Sequence, residues 1–451
     1  MPNPTEVSVS AATGRLAFAN LLKDDYGPRW EDHVHKEVVI WSLIAKERGK
    51  MGGKRTLTAV VSAFPQSAGI ALVEDATLPT PRSLTAFNPI LYARDIYTRL
   101  RWTGQVERAA RAGDKMAWAK PRMAEIALAQ KQFNLNVARM AYVGYYNVLS
   151  RINTVGGSNN QDWTMYSRND RTSAAADFWK FGTHYLRLNQ SVNVVGTADV
   201  SGDLVGTSEQ YIDNIAGTIA APTASIDGDI GATDPQNGDF VVPWASRQSG
   251  TAPVNTDAST YAGINGLSNL MLDSNIYSHC YDLARSSNPT LSGARLTNSG
   301  TARAFDEMYC SLLMDRIADE GIGEEPDAFV FHRSFRREII KDNKENRRFT
   351  PVVAQSGVGK LQYVYGDQTI PYTADRDCFP GIMFGLKKGM FGWLSNSPMG
   401  PIDDVGERWV ADKDSHEVIM HMAGNIFCTV PISNGSLEDI TFDVSEITTT
   451  P

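Results

Sequence analysis

The chain has little of what disulfide-rich, metal-binding and membrane-spanning proteins depend on. Among its 451 residues there are only four cysteines and seven histidines. The cysteines lie far apart without a C-x-x-C pair, so we expect buried thiols in a reducing compartment rather than a disulfide framework. No apolar run approaches the ~18 residues that a membrane helix needs, and the first residues do not follow the signal-peptide pattern. The cysteines are Cys280, Cys310, Cys378 and Cys428.

An excess of basic charge is also absent. The formal net charge is -8 and the pI is about 5.5. These values argue against a protein that binds nucleic acid through a basic surface. The chain is 42% hydrophobic, so it can bury a large core divided into two or three substructures. We expect a protein made in the cytoplasm, with no membrane contact.

The first hundred residues contain a helical segment followed by a candidate β-ribbon. Apolar residues at helical spacing predict a helix over residues 29–47, which the glycines that follow would end. Residues 55–62 and 90–102 predict the two strands of a ribbon, joined by a long, proline-containing loop. A two-stranded ribbon alone is marginal in water because it has no layer to pack against. We therefore expect the ribbon to lie on another subunit.

A long helix and a loose β region follow. Pro121 suits the first turn of a helix whose apolar stripe continues to Ile152, over ~45 Å at ~1.5 Å per residue. From residue 154 to about 261 the sequence is rich in Gly, Ser, Thr, Asn and Asp, which predicts irregular β structure.

The last 150 residues predict a mixed domain that ends in strands. An apolar stripe over residues 305–317 predicts a helix that Gly321 ends. DAFVFH predicts a buried strand and SFRREII a helix, and the later runs KLQYVYG, GIMFGLKKGMFGWL, ERWVAD, HEVIMHMA and NIFCTVPI predict strands. A mixed beginning with a strand-rich end indicates an α+β fold.

The sequence His416-Glu417-Val418-Ile419-Met420-His421 is close to the zinc-protease signature H-E-x-x-H. It lies among β-runs, before a predicted turn at Gly424 and Asn425. Because side chains on a strand alternate between faces, His416 and His421 should point to opposite sides and cannot share a metal ion.

Two glycine-containing motifs are incomplete. Residues 354–361 imitate a phosphate-binding loop, but Leu361 stands where Ser or Thr would hold magnesium. Residues 227–234 resemble part of a calcium loop, but Gly231 stands where an Asp or Asn ligand belongs and the closing glutamate is missing. Since no nucleophile, base and orienting acid can be assembled locally, we expect no catalytic residue, cofactor or metal.

Residues 333–348 hold seven basic residues with acids between them. Three interpretations remain open, in this order: a solvated helix face, contact with an acidic neighbouring subunit, and phosphate binding.

The order of these parts resembles the major capsid protein family of tailed double-stranded DNA bacteriophages, with the Hong Kong 97-type fold. Four stretches carry the resemblance, and with the order of the parts it covers most of the chain except residues 192–259. They are TYAGINGLSNLMLDSNIYS, the helix at 305–317 with EEPDAFVFHRSFRREI, GDQTIPYTADRDCFPGIMFGLKKGMFGWL and AGNIFCTVPISNGSLEDI.

The resemblance implies an α+β fold with an N-terminal arm, an extended β-hairpin loop, a long spine helix with a peripheral β-sheet, and a mixed α/β axial domain. The implied divisions are 1–53 for the arm, 54–103 for the extended loop, 104–153 for the spine helix, 154–394 for the axial domain with a β-rich elaboration near 192–259, and 395–451 for the closing strands and C-terminal tail.

The resemblance also implies a structural protein of the virion rather than an enzyme. Its copies would form the pentamers and hexamers of an icosahedral shell around packaged DNA, which they would contact weakly and without sequence preference. The expected partners are a separate scaffolding protein, since only about fifty residues precede the ribbon, together with a portal and a decoration protein. The alternatives are an encapsulin-type bacterial compartment shell and an enzyme of unknown class.

Some members of that family join subunits by an isopeptide bond from a lysine on the extended loop. Residues 55–101 contain no lysine, and Lys54 lies at the base of the ribbon, so we expect a non-covalent shell. The candidate contacts between subunits are Arg55, Phe64, Leu78, Arg82, Tyr92, Arg94, Arg99, Arg336 and Arg337.

Overall fold

The computed structural model describes residues 40–50, 55–57, 60–63, 85–87, 89–103, 121–157, 161–175, 177–196, 204–218, 220–227, 235–244, 263–272, 274, 276–320, 325–346, 362–366, 368–401, 408–409 and 414–441. In these ranges the chain combines several sheets with few helices, as the predicted mixed α and β class requires. No helix among them is both long and apolar enough to cross a membrane. The α-helices are α1 (Ile40–Leu43), α2 (Pro121–Val143), α3 (Leu267–Met271), α4 (Met308–Glu320) and α5 (Phe335–Asn346).

The long helix α2 lies in the larger of the hydrophobic cores. Phe133, Val137 and Ala141 follow one another at four-residue spacing and are buried in that core. The prediction that this helix continues to Ile152 is wrong, because α2 ends at Val143. Gly144 follows with a φ of +85°, and a Cβ there would lie 2.6 Å from the Oδ1 atom of Asn269 on α3. The helix therefore stops where only glycine fits.

The first sheet has five strands and uses both ends of the chain. Three predictions about this sheet are wrong. Residues 45–47 are part of a strand rather than of a helix, and the strand over residues 415–428 continues through Gly424 and Asn425 without the predicted turn. Residues 94–103 pair with that strand and so belong to this sheet rather than to the ribbon. The strands are β1 (Ala45–Lys50), β20 (Phe391–Pro401), β22 (Ser415–Cys428) and β21 (Arg408–Trp409) in that order, with β6 (Arg94–Thr103) also paired to β22.

The predicted ribbon is confirmed only near its base. Its strands are short, and β6 leaves it because the inner face of β6 has a packing partner in its own chain. Trp102 is buried there with Val418 and Ala129, between β22 and α2. The ribbon pairs are β2 (Arg55–Leu57) with β5 (Ile90–Tyr92) and β3 (Val60–Ala63) with β4 (Thr85–Phe87).

Six strands between residues 150 and 243 form a closed barrel where irregular β structure is predicted. Alternate residues of its strands fill the interior, such as Trp163, Ile212 and Ala224, which are almost fully buried. The barrel starts with residues 150–165, well before the predicted elaboration at 192–259. Its strands, in barrel order, are β10 (Leu204–Gly217), β11 (Pro222–Asp227), β8 (Asp162–Met165), β7 (Ser150–Gly156), β12 (Phe240–Pro243) and β9 (Ser191–Val195).

A six-stranded sheet with α4 and α5 forms the second core. The predicted strand DAFVFH corresponds to the central strand β16 (Ala328–His332), whose five residues are all buried. The two predicted helices are also confirmed, and α4 buries Leu313 and Ile317 in this core. The sheet runs β15 (Ala294–Leu296), β23 (Gly435–Leu437), β19 (Met383–Leu386), β16 (Ala328–His332), β18 (Gln368–Asp375) and β17 (Gln362–Tyr365), while β13 (His279–Cys280) and β14 (Leu283–Ala284) form a separate pair.

Candidate inter-subunit surfaces

The β6–β22 pair presents paired polar side chains on the face opposite α2. Arg99 donates from Nε to Oε2 of Glu417 at 2.8 Å. Nε2 of His421 lies 3.0 Å from Oδ1 of Asp95, and the ring of Tyr97 stacks on the His421 ring at 4.8 Å. Tyr97 is 55% exposed, so this face combines fixed charges with an accessible aromatic ring, the composition of many protein interfaces.

The two histidines of the zinc-protease-like sequence lie on opposite faces of β22, as predicted. His416 stacks on Trp102 on the inner face, with the ring centroids 6.5 Å apart, whereas His421 lies on the outer face. Across the described part of the chain, no group of three or more His, Cys, Asp and Glu side chains is placed to hold a metal ion. The four cysteines are buried free thiols.

The base of the ribbon is attached to its own subunit. The hydroxyl of Tyr92 donates to Oδ2 of Asp282 at 3.3 Å, and Nδ2 of Asn425 donates to the carbonyl of Tyr92 at 2.8 Å. The guanidinium of Arg94 lies over the Tyr92 ring, 5.6 Å from its centroid. Tyr92, Arg94 and Arg99 therefore make contacts within the chain, and their role between subunits stays a prediction.

The remaining predicted contact residues are distributed over two regions. Arg55 lies on β2, whose neighbouring strand β5 holds Tyr92, while Phe64, Leu78 and Arg82 lie outside the described residues. Arg336 and Arg337 lie in the first turn of α5, where Arg336 is exposed and Arg337 half-buried.

We expect the basic segment at residues 333–348 to pair with Asp315, Asp319 or Glu324 of a neighbouring subunit, and these acids have different surroundings. Asp315 accepts a hydrogen bond from the hydroxyl of Tyr365 in its own chain, and this bond raises the pKa of Tyr365 to about 12. Asp319 is exposed near the end of α4, whereas Glu324 lies outside the described residues.

Two apolar residues of α4 are exposed although the sequence stripe includes them. Met308 is 63% and Leu312 45% exposed, and they lie one turn apart on the outer face of the helix. The apolar stripe over residues 305–317 is wider than the surface that packs on the sheet. Leu313 and Ile317 occupy that packed surface, so Met308 and Leu312 remain outside it. Apolar residues left outside a core are candidates for contact with a partner, and no sequence pattern distinguished them from core residues.

Two buried acids near the end of the described chain, Glu438 and Asp439, bind residues from two other segments. Glu438 accepts from Nε of Arg295 at 2.5 Å. Asp439 accepts from the N–H and hydroxyl of Ser173 at 2.6 and 2.7 Å. Burial alone would raise the pKa of Asp439, but these bonds, with those from two backbone N–H groups, outweigh it and lower the pKa. The carboxylate form therefore stabilises this junction.

Comparison with known proteins gives a fold but no sequence relative. No family model matches the chain, and no curated protein does. The solved cyanophage A-1(L) capsid asymmetric unit is 12% identical and aligns with a TM-score of 0.56, over 95% of this chain and 100% of that one. The capsid of a native GTA particle (8% identity, TM-score 0.46, 96% and 100% covered) and Mycobacterium phage Bobi (9%, 0.43, 95% and 98%) align more weakly, below the level that defines a fold.

The chain therefore has the fold of a phage capsid subunit over nearly its whole length. The resemblance to the major capsid protein family, predicted from the sequence, is confirmed at the level of the fold.

Proposed function

We propose that the chain is the major capsid protein of a tailed double-stranded DNA bacteriophage. Its copies would assemble into the pentamers and hexamers of an icosahedral shell, and it would have no catalytic role. The observation that carries this proposal is the fold shared with the cyanophage capsid subunit across all of that chain.

The described elements suggest how such a subunit would be divided. We assign α2 and the first sheet to a peripheral domain, and the six-stranded sheet with α4 and α5 to an axial domain. The barrel at residues 150–243 would be an elaboration between them. Three parts would contact neighbouring copies, because they extend from or lie outside the two cores. They are the ribbon beyond β2 and β5, the outer face of β6–β22 and the exposed residues of α4.

Electron microscopy of assembled particles tests the proposal. The chain would be produced with the scaffolding, portal and decoration proteins of its phage, which are its proposed partners, and purified by size. Closed shells of uniform diameter with a portal at one vertex are expected, and particles from infected cells should contain duplex DNA. Shells that hold a cargo enzyme without portal or DNA would favour an encapsulin-type compartment. A chain that stays monomeric in all these conditions and turns over a substrate would contradict the proposal.

A further inference from the structure

The outer face of the barrel carries a cavity of about 300 Å³. Residues of four neighbouring strands, β7, β8, β11 and β10, line it. Trp163 and Ala224 of these strands face the barrel interior and are almost fully buried, so the side chains that alternate with them face outward into the cavity. The volume of the cavity lies at the lower end of the range for small-molecule sites.

The strand register aligns six polar side chains of this face in two rows. The first row crosses β7, β8 and β11, and its members are direct partners in the pairing. The second row crosses β8, β11 and β10 in the same way. Because neighbouring strands lie ~4.8 Å apart, hydrogen-bonding side chains recur at about that distance across the wall of the cavity. The rows consist of Thr154, Thr164 and Thr223, and of Asp162, Ser225 and Asn214.

These six side chains are not engaged by the rest of the chain. Within the described ranges, none of them forms a hydrogen bond or an ion pair with another protein group. Their hydroxyl, amide and carboxylate groups therefore keep both donors and acceptors available on one concave surface. A cavity that gathers this many unused polar groups is suited to a ligand that makes several hydrogen bonds at once.

The chemistry of the lining selects the class of ligand. None of the residues that line the cavity, all of them in the described ranges, is Lys, Arg or His, so phosphates and other anions find no counter-charge there. An apolar ligand would leave the polar groups unpaired. We propose that this site, here called the barrel cavity, binds a neutral carbohydrate. Its hydroxyl groups would donate to the carboxylate and amide oxygens and accept from the hydroxyl and amide donors of the two rows.

Gly156 leaves space for that ligand at the end of the second row. It is the partner of Asp162 on β8. Apart from its chain neighbours, a Cβ atom at Gly156 would find no atom closer than the carbonyl oxygen of Asp162, at 3.9 Å. Neither close packing nor a left-handed backbone angle requires glycine at this position. Glycine weakens a strand, and there it often marks the close approach of a ligand.

Isothermal titration of the full-length, unassembled subunit with neutral sugars tests the barrel cavity. The probes are maltose, lactose, N,N′-diacetylchitobiose and maltoheptaose. We expect saturable binding of at least one of them with a dissociation constant on the order of 1 mM, since hydrogen bonds to exposed groups gain little over those to water.

Three variants locate the binding. Gly156→Val should abolish it, because the new side chain fills the cavity. Thr223→Val removes one hydroxyl and keeps the shape of the side chain, so it should weaken binding roughly fivefold. Thr369 is an exposed threonine of β18, and Thr369→Val is the matched control, which should bind as the unmodified chain does.

Chain length and charge of the probe separate the sources of the ligand. Maltose represents a free sugar and maltoheptaose a segment of a polysaccharide. Equal affinities would assign the cavity to a short sugar, and tighter binding of maltoheptaose would assign it to a glycan chain. Tighter binding of glucose 6-phosphate than of glucose would overturn the assignment to a neutral ligand.

The proposal is wrong if no probe binds with saturation, or if Gly156→Val binds as the unmodified chain does. The melting temperature of each variant shows whether a loss of affinity comes from unfolding. If Gly156→Val is less stable, Thr223→Val decides, since it alters only one hydroxyl, and unchanged affinity in that variant would overturn the proposal. The inference rests on the barrel and not on the proposed role in a shell, so its failure leaves that role untouched.

Discussion

Acidification should destabilise the subunit through His332, and His332→Asn should remove that part of the effect. His332 is only 6% exposed. Burial first, and then the positive charges of Arg168, Arg333 and Arg376, lower its pKa, although Asp375 is its partner on the neighbouring strand β18. Asparagine places an acceptor oxygen close to the position of Nδ1, so the contact with Ser334 can be kept while the titrating group is lost.

The size of the effect follows from the two pKa values. In the folded chain the pKa of His332 is lowered to about 3, against 6.5 for an ordinary histidine. Below pH 6.5 the unfolded chain therefore binds more protons than the folded chain, and stability falls as the pH decreases toward 3. At pH 5, about 1.5 pH units below the pKa of an ordinary histidine, protonation of the unfolded chain lowers the free energy of unfolding by about 2 kcal/mol, at ~1.36 kcal/mol per unit. Near pH 3 the full difference would cost roughly 5 kcal/mol.

Urea unfolding at pH 7 and pH 5, in phosphate-free buffer, measures this difference. The unmodified subunit should lose about 2 kcal/mol more stability between these pH values than His332→Asn does. Ser334→Ala is the matched control. It removes the hydroxyl partner of Nδ1 but keeps the backbone N–H partner and the titrating ring, so it should lower stability at both pH values and retain the pH dependence. An equal pH dependence in the unmodified chain and in His332→Asn would refute the reasoning.

Four further predictions concern assembly. Replacing residues 64–88 by a short linker should leave a folded, soluble subunit that no longer closes shells, because β5 and β6 stay attached to their own core; normal particles from this variant would contradict the role of the ribbon. Since residues 55–101 lack lysine, particles boiled in detergent should give a single band near 49.5 kDa, and a ladder of covalent oligomers would exclude a non-covalent shell. A subunit of net charge -8 gains little from counterion release, so it should show no sub-micromolar binding of duplex DNA at physiological salt. The double variant Arg336→Glu with Arg337→Glu should give aberrant or salt-sensitive particles, while the melting temperature of the subunit stays unchanged. Exposed ion pairs are each worth only about 0–1 kcal/mol, but they recur around every ring of subunits. Normal shells would mean that the basic segment of α5 is a solvated face.

Local patterns in the sequence determined several elements of this protein. Alternation along β22 predicted that His416 and His421 lie on opposite faces, and the apolar run of β16 predicted a strand buried at every position. The stripe before Gly321 predicted α4. These features depend on side-chain periodicity within one element, which is set by backbone geometry and does not require knowledge of the rest of the fold.

Only the tertiary structure decided which distant segments meet. The residues of β6 alternate in the same way whether they form a ribbon or the edge of a sheet. The burial of Trp102 against Val418, more than three hundred residues later in the chain, selects the sheet. The barrel closes by pairing strands that are short and separated by loops, and Gly144 ends α2 because Asn269 occupies the space beside it. His184 and His332, whose ring centroids lie 5.2 Å apart, likewise belong to different elements, and their sequence neighbours carry no common motif. Packing and charge between elements far apart in the chain are properties of the folded state, and a one-dimensional pattern does not contain them.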